Sequence, residues 1–186
     1  MKNALRIGLT LAVLLFVLAW GFAPPDGGTE TPAVQEDPAL PQAAPAIADS
    51  ERTLRILHNG ATEEMTMDRY LLGVLRAEMP ASFEPEALKA QVIAARTYTL
   101  HKMSWGTIER HPDADACDDI TCCKAYMSAE DAAALWGASA LYYEEKLARA
   151  VAETDGEVIV YDDAPVLAVF FSSSAGHTQG AAEVWQ

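Results

Sequence analysis

The sequence predicts an α+β domain that follows an apolar amino-terminal segment and a linker. Apolar residues recur at helical spacing in several stretches and alternate with polar residues, as in β-strands, in several others. Proline and the dipeptides Asn-Gly and Asp-Gly separate these stretches, as expected for turns. The 186 residues are enough for one domain of ordinary size with extensions.

The expected elements of the domain follow from these patterns. The Asn59-Gly60 turn predicts an opening hairpin, and Pro80 ends the first helix because it biases Met79 away from helical angles. Ser128 and Asp131 form a capping box for an alanine-rich helix. In order, we expect strands at 53–58 and 62–67, helices at 69–77, from residue 85, from residue 128 and at 141–153, and strands at 157–161 and 166–171.

Residues 7–23 form the longest uninterrupted apolar stretch, at the lower limit of length for a bilayer span. Lys2 and Arg6 precede it, which places the amino end in the cytoplasm and the rest of the chain outside. We therefore expect residues 1–23 to be a signal anchor that makes this a single-pass protein of the cell membrane. Cleavage as a signal peptide is the alternative, although Pro24 would then follow the scissile bond.

Residues 24–51 differ in composition from the rest of the chain. They hold six of the ten prolines, many alanines and acidic residues, and no aromatic residue. Such a composition buries too little surface to offset the entropy of ordering, so it predicts a flexible linker. The domain is then expected to occupy residues 52–186.

The charge balance excludes one class of function. Thirteen Lys and Arg against twenty-seven Asp and Glu give a net charge of −14. Phosphate neutralisation supplies most of the affinity of nucleic-acid-binding proteins, so a general nucleic-acid binder is disfavoured. We expect no nucleic-acid partner.

Glu78 is the candidate catalytic residue. It lies at the carboxyl end of the first helix, directly before the turn that Pro80 enforces. The negative end of the helix dipole and partial burial both favour the protonated carboxyl group, which a general acid requires. From the residues alone, a solvated glutamate at a helix end is the alternative.

Polar residues of the second helix and of the last loop are candidates for substrate contacts. Lys89 and Arg96 are seven residues apart and so share one side of the helix, which is either a donor face for an anionic or hydroxyl-rich substrate or a solvated face. The final loop is rich in hydroxyls but lacks the G-x-S-x-G pattern of a serine nucleophile. The expected substrate-binding residues are Lys89, Gln91, Arg96, Tyr98, Ser173, Ser174, His177 and Thr178.

The three cysteines lie close together and suggest one local site. His111, Cys117 and Cys123 are spaced six and six residues apart, with Cys122 adjacent. Thiolates and imidazole are good zinc ligands, so these three residues are candidate metal ligands. A disulfide from Cys117 to Cys122 or Cys123 and free thiols are the alternatives, since the domain is expected to face an oxidising compartment.

Several motifs together resemble the stage II sporulation protein D family of peptidoglycan lytic transglycosylases. The resemblance covers roughly residues 53–186, and its motifs occur in order. They are Ala77-Glu78-Met79-Pro80-Ala81-Ser82-Phe83, residues 86–91 and 94–98, His111-Pro112, residues 115–119 and 122–126, and residues 171–178.

The resemblance implies an activity. Members of the family cleave the bond between N-acetylmuramic acid and N-acetylglucosamine, with the residue that matches Glu78 as the catalytic acid and a 1,6-anhydro ring in the product. Some members bind zinc at the positions of His111, Cys117 and Cys123, which implies one structural Zn²⁺ and no organic cofactor. The implied partners are peptidoglycan glycan strands, a wall amidase and other membrane proteins of sporulation, where the protein would act during engulfment.

The resemblance also raises an alternative function and an expectation about length. The family includes amidase enhancers, so a protein that binds wall glycan without cleaving it is the second hypothesis. The final motif, Glu183-Val184-Trp185, lies well inside the domain of family members, so we expect the domain here to be partial. The apolar strands expected at 157–161 and 166–171 would then leave part of their surface uncovered.

Overall fold

A computed structural model describes residues 47–106, 109–171, 173, 176–180 and 183. The anchor predicted at 1–23 and most of the predicted linker lie outside these residues. Helices and strands are mixed, which confirms the α+β class. In order the elements are β1 (Thr53–His58), β2 (Ala61–Thr66), α1 (Met67–Glu78), α2 (Pro85–Ser104), β3 (Ala116–Cys117), α3 (Ala129–Trp136), a 3₁₀ turn (Gly137–Ser139), α4 (Ala140–Glu153), β4 (Val160–Tyr161) and β5 (Ala164–Pro165).

The first sheet has three strands in the order β2-β1-β3. β1 and β2 form the predicted hairpin, in which Asn59 and Gly60 both adopt positive φ angles, as a tight two-residue turn requires. β3 was not predicted, because two residues carry no alternation pattern. It pairs parallel to β1, with Leu57 opposite Cys117. This pairing fixes one cysteine to the sheet.

Helices α1, α2 and α4 pack around one apolar core against the sheet. α1 begins two residues earlier than predicted, at Met67, and includes Glu78 as its last residue. Met79 leaves the helix in an extended conformation before Pro80, as the sequence predicts. The core side chains include Tyr70, Leu71, Val74 and Leu75 of α1, Leu88, Val92 and Ala95 of α2, and Leu147, Ala150 and Val151 of α4.

The fold begins before Arg52, so the predicted linker boundary at residue 51 is wrong. Asp49 is buried, and its carbonyl oxygen accepts a hydrogen bond of 3.1 Å from the backbone N–H of Met67. Its own N–H donates to Asp155 over 2.7 Å. Composition did not predict the burial of Asp49, because one aspartate in an acidic segment is distinguished from its neighbours only by its partners in the folded chain.

The predicted strand at 166–171 does not form in the described residues. β4 and β5 make a hairpin of two residues each, and Val166 adds one backbone hydrogen bond to Ile159. A strand needs a continuous backbone partner, and the described part of the chain supplies none for this segment. Tyr161, Val169 and Phe171 are exposed in the described part of the chain.

No helix in the described ranges is both long enough and apolar enough to cross a membrane.

Candidate functional site

The carboxylate of Glu78 is held at the end of α1 by a backbone donor. Its Oε1 accepts a hydrogen bond of 3.1 Å from the N–H of Ala125, which is distant in sequence. The side chain is half-buried, so it is partly shielded and yet reachable from solvent. Among the described residues, none is hydrogen-bonded to Oε2, so Oε2 is the oxygen available to exchange a proton with a bound molecule.

The segment 125–127 runs alongside α1 and reaches Glu78 at one end. The N–H of Met127 donates to the carbonyl oxygen of Gly73 over 3.0 Å, and Arg76 reaches the carbonyl oxygen of Met127 over 3.4 Å. The Tyr126 ring lies between these contacts, directly over Gly73. The position of the Ala125 N–H is therefore set by contacts along α1.

His111 and the three cysteines form a compact cluster. Their four ligand atoms lie within 4.8 Å of one another. The Nε2 of His111 is 3.3 Å from Sγ of Cys123, and the Sγ atoms of Cys122 and Cys123 are 3.8 Å apart. Tetrahedral zinc with Zn–S bonds of about 2.3 Å places neighbouring sulfur atoms about 3.8 Å apart. The donor set and its spacing fit zinc.

The orientation of the imidazole is also that of a metal ligand. Nδ1 of His111 lies 2.8 Å from the carbonyl oxygen of Ala114, which leaves Nε2 facing the sulfur atoms. Metal-binding histidines usually donate their other ring N–H in this way. Cys122, which was not among the three predicted ligands, also belongs to the cluster. Its adjacency to Cys123 was the available signal.

Burial suppresses ionisation of two of the thiols, those of Cys117 and Cys123. It raises the pKa of Cys123 to about 12 and also raises the pKa of Cys117. All three cysteines are free thiols in the structure. A cation bound here must displace their protons, so metal binding would be coupled to proton release.

Hydrogen bonds to Asp119 stabilise the turn that carries Cys122 and Cys123. The carbonyl oxygen of Asp119 accepts the N–H groups of Cys122 and Cys123 over 2.9 Å and 2.7 Å. Its side chain accepts hydrogen bonds from Thr121, which lower the pKa of Asp119, and pairs with Arg110 over 2.6 Å. The conformation of the cysteine turn is therefore stabilised by contacts within residues 110–123.

Lys124 connects the cluster with Glu78 and was missed in the sequence. Its Nζ lies 3.9 Å from the ring centres of both Tyr98 and Phe170, a distance at which cation–π attraction is effective. Burial lowers the pKa of Lys124, while the negative charge of Glu78 acts in the opposite direction. The available signal was its position directly after the candidate ligand Cys123, within the motif at residues 122–126.

Tyr98 is the predicted substrate residue that these contacts bring to this site. Lys89 instead pairs with Glu86 over 2.9 Å and with Glu153 over 2.6 Å at the surface. The Nε2 atom of Gln91 is buried and has no hydrogen-bond partner among the described residues. Ser173, His177 and Thr178 are exposed, and Ser174 lies outside the described residues.

Arg96 is predicted to contact substrate, but its side chain is buried in an ion pair. Its side chain is 1% exposed and binds the Asp49 carboxylate through Nε at 2.9 Å and Nη2 at 2.6 Å. Nη1 donates to the carbonyl oxygen of Glu157 over 2.9 Å. Helix spacing did not reveal this, because the groups that cover Arg96 come from the end of the predicted linker and from the chain after α4.

The sequence matches a family model described as Stage II sporulation protein over residues 58–161. It is 38% identical to Stage II sporulation protein D of Bacillus subtilis (strain 168) over 130 residues, 68% of this chain and 37% of that protein. It is 33% identical to the protein of the same name from Bacillus amyloliquefaciens over 145 residues, 77% of this chain and 42% of that protein.

A third relative carries a different name. The chain is 34% identical to the Amidase enhancer of Bacillus subtilis (strain 168) over 115 residues, 62% of this chain and 13% of that protein. The chain thus spans about two fifths of the length of the two sporulation proteins. These comparisons confirm the resemblance drawn from the motifs.

Proposed function

Because the chain belongs to the stage II sporulation protein family, we propose that it is a lytic transglycosylase that cleaves peptidoglycan between N-acetylmuramic acid and N-acetylglucosamine. The observation that carries the proposal is the half-buried carboxyl of Glu78, in which Ala125 binds one oxygen and no described residue is hydrogen-bonded to the other. Two-carboxylate glycoside hydrolases need a second carboxyl group on the other side of the scissile bond, whereas anhydro-ring formation needs only one.

Glu78 would serve first as an acid and then as a base. Its Oε2 proton passes to the glycosidic oxygen as the bond to the muramic C1 breaks. The resulting carboxylate then takes the proton of the muramic 6-hydroxyl, whose oxygen closes the 1,6-anhydro ring. The N–H of Ala125 binds Oε1 in both protonation states, so the carboxyl keeps its orientation through both steps.

We assign a structural zinc ion to His111, Cys117, Cys122 and Cys123, on the spacing of their ligand atoms. The ion would link the cysteine turn to β3 and so stabilise the fold, and it would take no part in glycan cleavage. Lys124 and Ala125 directly follow Cys123 in the chain. The ligands therefore hold Ala125, which binds Glu78.

The proposed site of action is the cell wall, during the remodelling that accompanies sporulation. Residues 1–23 would anchor the protein in the cell membrane, with the catalytic domain outside the cytoplasm. Glycan strands are the proposed substrate, and a wall amidase and other sporulation membrane proteins are the proposed partners. Attachment is tested by sequencing the amino terminus of the mature protein: an end near residue 24 would show cleavage and release.

The activity is tested by incubating the full-length protein with purified glycan strands and detecting anhydromuramic ends by mass spectrometry. We expect Glu78→Gln to lower the rate by about 10²- to 10⁴-fold, the usual share of general acid–base catalysis. Glu64→Gln is the matched control, because Glu64 is exposed on β2. An unchanged rate in folded Glu78→Gln would remove Glu78 from the mechanism.

The similarity to an amidase enhancer favours one alternative, a glycan-binding protein that stimulates an amidase without cleaving glycan. In that case no anhydro ends appear, yet the protein accelerates peptide release by an amidase. Glu78→Gln would leave that stimulation unchanged.

A further inference from the structure

Helix α1 contains a residue that its local sequence does not explain. Gly73 lies in the interior of the helix, where glycine is the poorest helix former apart from proline. It is buried and is followed by Val74 and Leu75, which fill the core. A locally unfavourable residue inside a well-formed element indicates a requirement set by tertiary structure.

The requirement is space for the Tyr126 ring. A methyl group on Gly73 would lie 2.5 Å from Cδ2 and 2.6 Å from Cζ of that ring, and closer still to Cε2. Carbon atoms in contact are separated by about 3.5–4.0 Å. Any side chain at this position therefore displaces either the ring or the helix.

The ring has little freedom to move aside. It packs edge-on against His58, with centroids 4.7 Å apart, and is stacked on Tyr70 at 6.2 Å. Its hydroxyl reaches Sδ of Met65 at 3.8 Å. Displacement would consequently pass into the backbone on either side of the ring. Those neighbours are Ala125, which binds Glu78, and Met127, which binds the carbonyl oxygen of Gly73.

We propose that Gly73 and Tyr126 are positioning residues that orient the Glu78 carboxyl group, by fixing where segment 125–127 lies along α1. The close fit of the ring on the bare helix backbone sets the register of the segment. The register in turn sets the distance between the Ala125 N–H and Oε1. This proposal rests on the proposed function of Glu78, although the geometry that it predicts can be measured without any activity.

The test compares Gly73→Ala with two double variants in the full-length protein. Gly73→Ala should lower kcat by about 100-fold with KM nearly unchanged, since a misplacement of about 1 Å costs that much. Adding Tyr126→Ala removes the overlapping ring and should raise kcat about tenfold above that of Gly73→Ala, because substitutions at contacting residues are not additive. Adding Tyr126→Phe keeps the ring, so that variant should stay as impaired as Gly73→Ala.

Two results would overturn the proposal. One is a Gly73→Ala enzyme with normal kcat. The other is a pair of double variants with equal activity, since the overlap would then not be the cause. If Gly73→Ala fails to fold, the same comparison applies to folding: the variant with Tyr126→Ala should fold and cleave, and that with Tyr126→Phe should not.

A second measurement separates this proposal from the function itself. The amide resonance of Ala125 should shift on Glu78→Gln, and this response should vanish in the Gly73→Ala background and return with Tyr126→Ala. If the wild type cleaves no glycan but the resonances behave in this way, the proposed function fails and the positioning device stands. If cleavage occurs and the resonance response is the same in every background, the positioning proposal fails alone.

Discussion

The N–H of Ala125 donates a 3.1 Å hydrogen bond to Oε1 of Glu78, and so links the end of α1 to the chain that leaves the cysteine cluster. The candidate catalytic group and the candidate metal site are thus parts of one arrangement. Lys124 lies between them, held by two aromatic rings. Changes in the cluster are expected to reach Glu78 through this short segment.

We predict that Glu78→Asp loses about 100-fold in turnover although it keeps a carboxyl group. The side chain is one methylene shorter, so it cannot both accept from Ala125 and reach the glycosidic oxygen, and misplacement of about 1 Å has a cost of this size. Steady-state cleavage of glycan strands is the measurement, with Glu64→Asp as the control. More than half of normal activity would show that the orientation of Glu78 is unimportant.

We predict about one zinc ion per chain in protein prepared with reductant. Zinc should be lost in His111→Ala, Cys117→Ser and Cys122→Ser, because each substitution removes one of the four ligands. Elemental analysis measures the content, and His177→Ala, which changes an exposed histidine, is the control. Metal-free protein with a disulfide to Cys117 in peptide mapping would establish the alternative.

Loss of the metal should affect stability more than chemistry. Because ligand binding and folding of the cysteine turn are coupled, chelation should lower the melting temperature. In protein that remains folded, Glu78 should still cleave glycan at a reduced rate. Complete loss of cleavage with an unchanged melting temperature would instead indicate a catalytic metal.

We predict that Arg96→Ala destabilises the fold by about 3–5 kcal/mol, the usual cost of leaving one charge of a buried pair alone. Burial already raises the pKa of Asp49, against the opposing effect of Arg96. Without Arg96, the charged form is disfavoured further. The deficit should therefore shrink as acid protonates Asp49.

Urea unfolding at neutral and mildly acidic pH measures this difference. Arg69→Ala on the surface of α1 is the control, since Arg69 pairs with no carboxylate among the described residues. An Arg96→Ala protein of normal stability that binds glycan weakly would restore Arg96 to the substrate site.

The Lys89–Glu153 pair should contribute stability with a defined pH dependence. The hydrogen bond from Lys89 lowers the pKa of Glu153 below its ordinary value of 4.5. A lowered carboxyl pKa adds stability that is fully present above the ordinary value and is lost as pH falls through the lowered one. The advantage of the wild type over Glu153→Gln should thus be fully present at about pH 7 and smaller at about pH 3.

The effect should be small and weakened by salt, because both groups are near the surface. Urea midpoints of the two proteins at the two pH values measure it. Glu145→Gln, on the same helix, is the control for the loss of an exposed charge. An advantage that persists in acid would mean that packing, not the ion pair, stabilises this contact.

Local patterns predicted much of the fold because they depend on neighbours in the chain. The hairpin at Asn59-Gly60, the end of α1 before Pro80 and the Ser128–Asp131 cap all formed as expected. In the cap, Ser128 Oγ accepts from the N–H of Asp131 over 3.0 Å. Each of these features is governed by backbone angles or by hydrogen bonds over two to four residues.

Predictions that depended on remote partners failed. The strand at 166–171 needs a neighbouring strand, and the described residues provide none. Arg96 fitted a polar helix face, but Asp49 from the supposed linker covers it. Neither outcome is visible in a window of sequence, since the deciding group lies far away in the chain.

The sequence by itself determined the order of helices and turns, the placement of Glu78 at a helix end and three of the four candidate metal ligands. Only the tertiary structure decided that Ala125 binds Glu78, that Cys122 joins the cluster and that Arg96 is internal. The physical reason is the range of the forces involved. Helix and turn preferences are settled within a few residues, whereas burial, ion pairs and close packing depend on which distant segments the folded chain brings together.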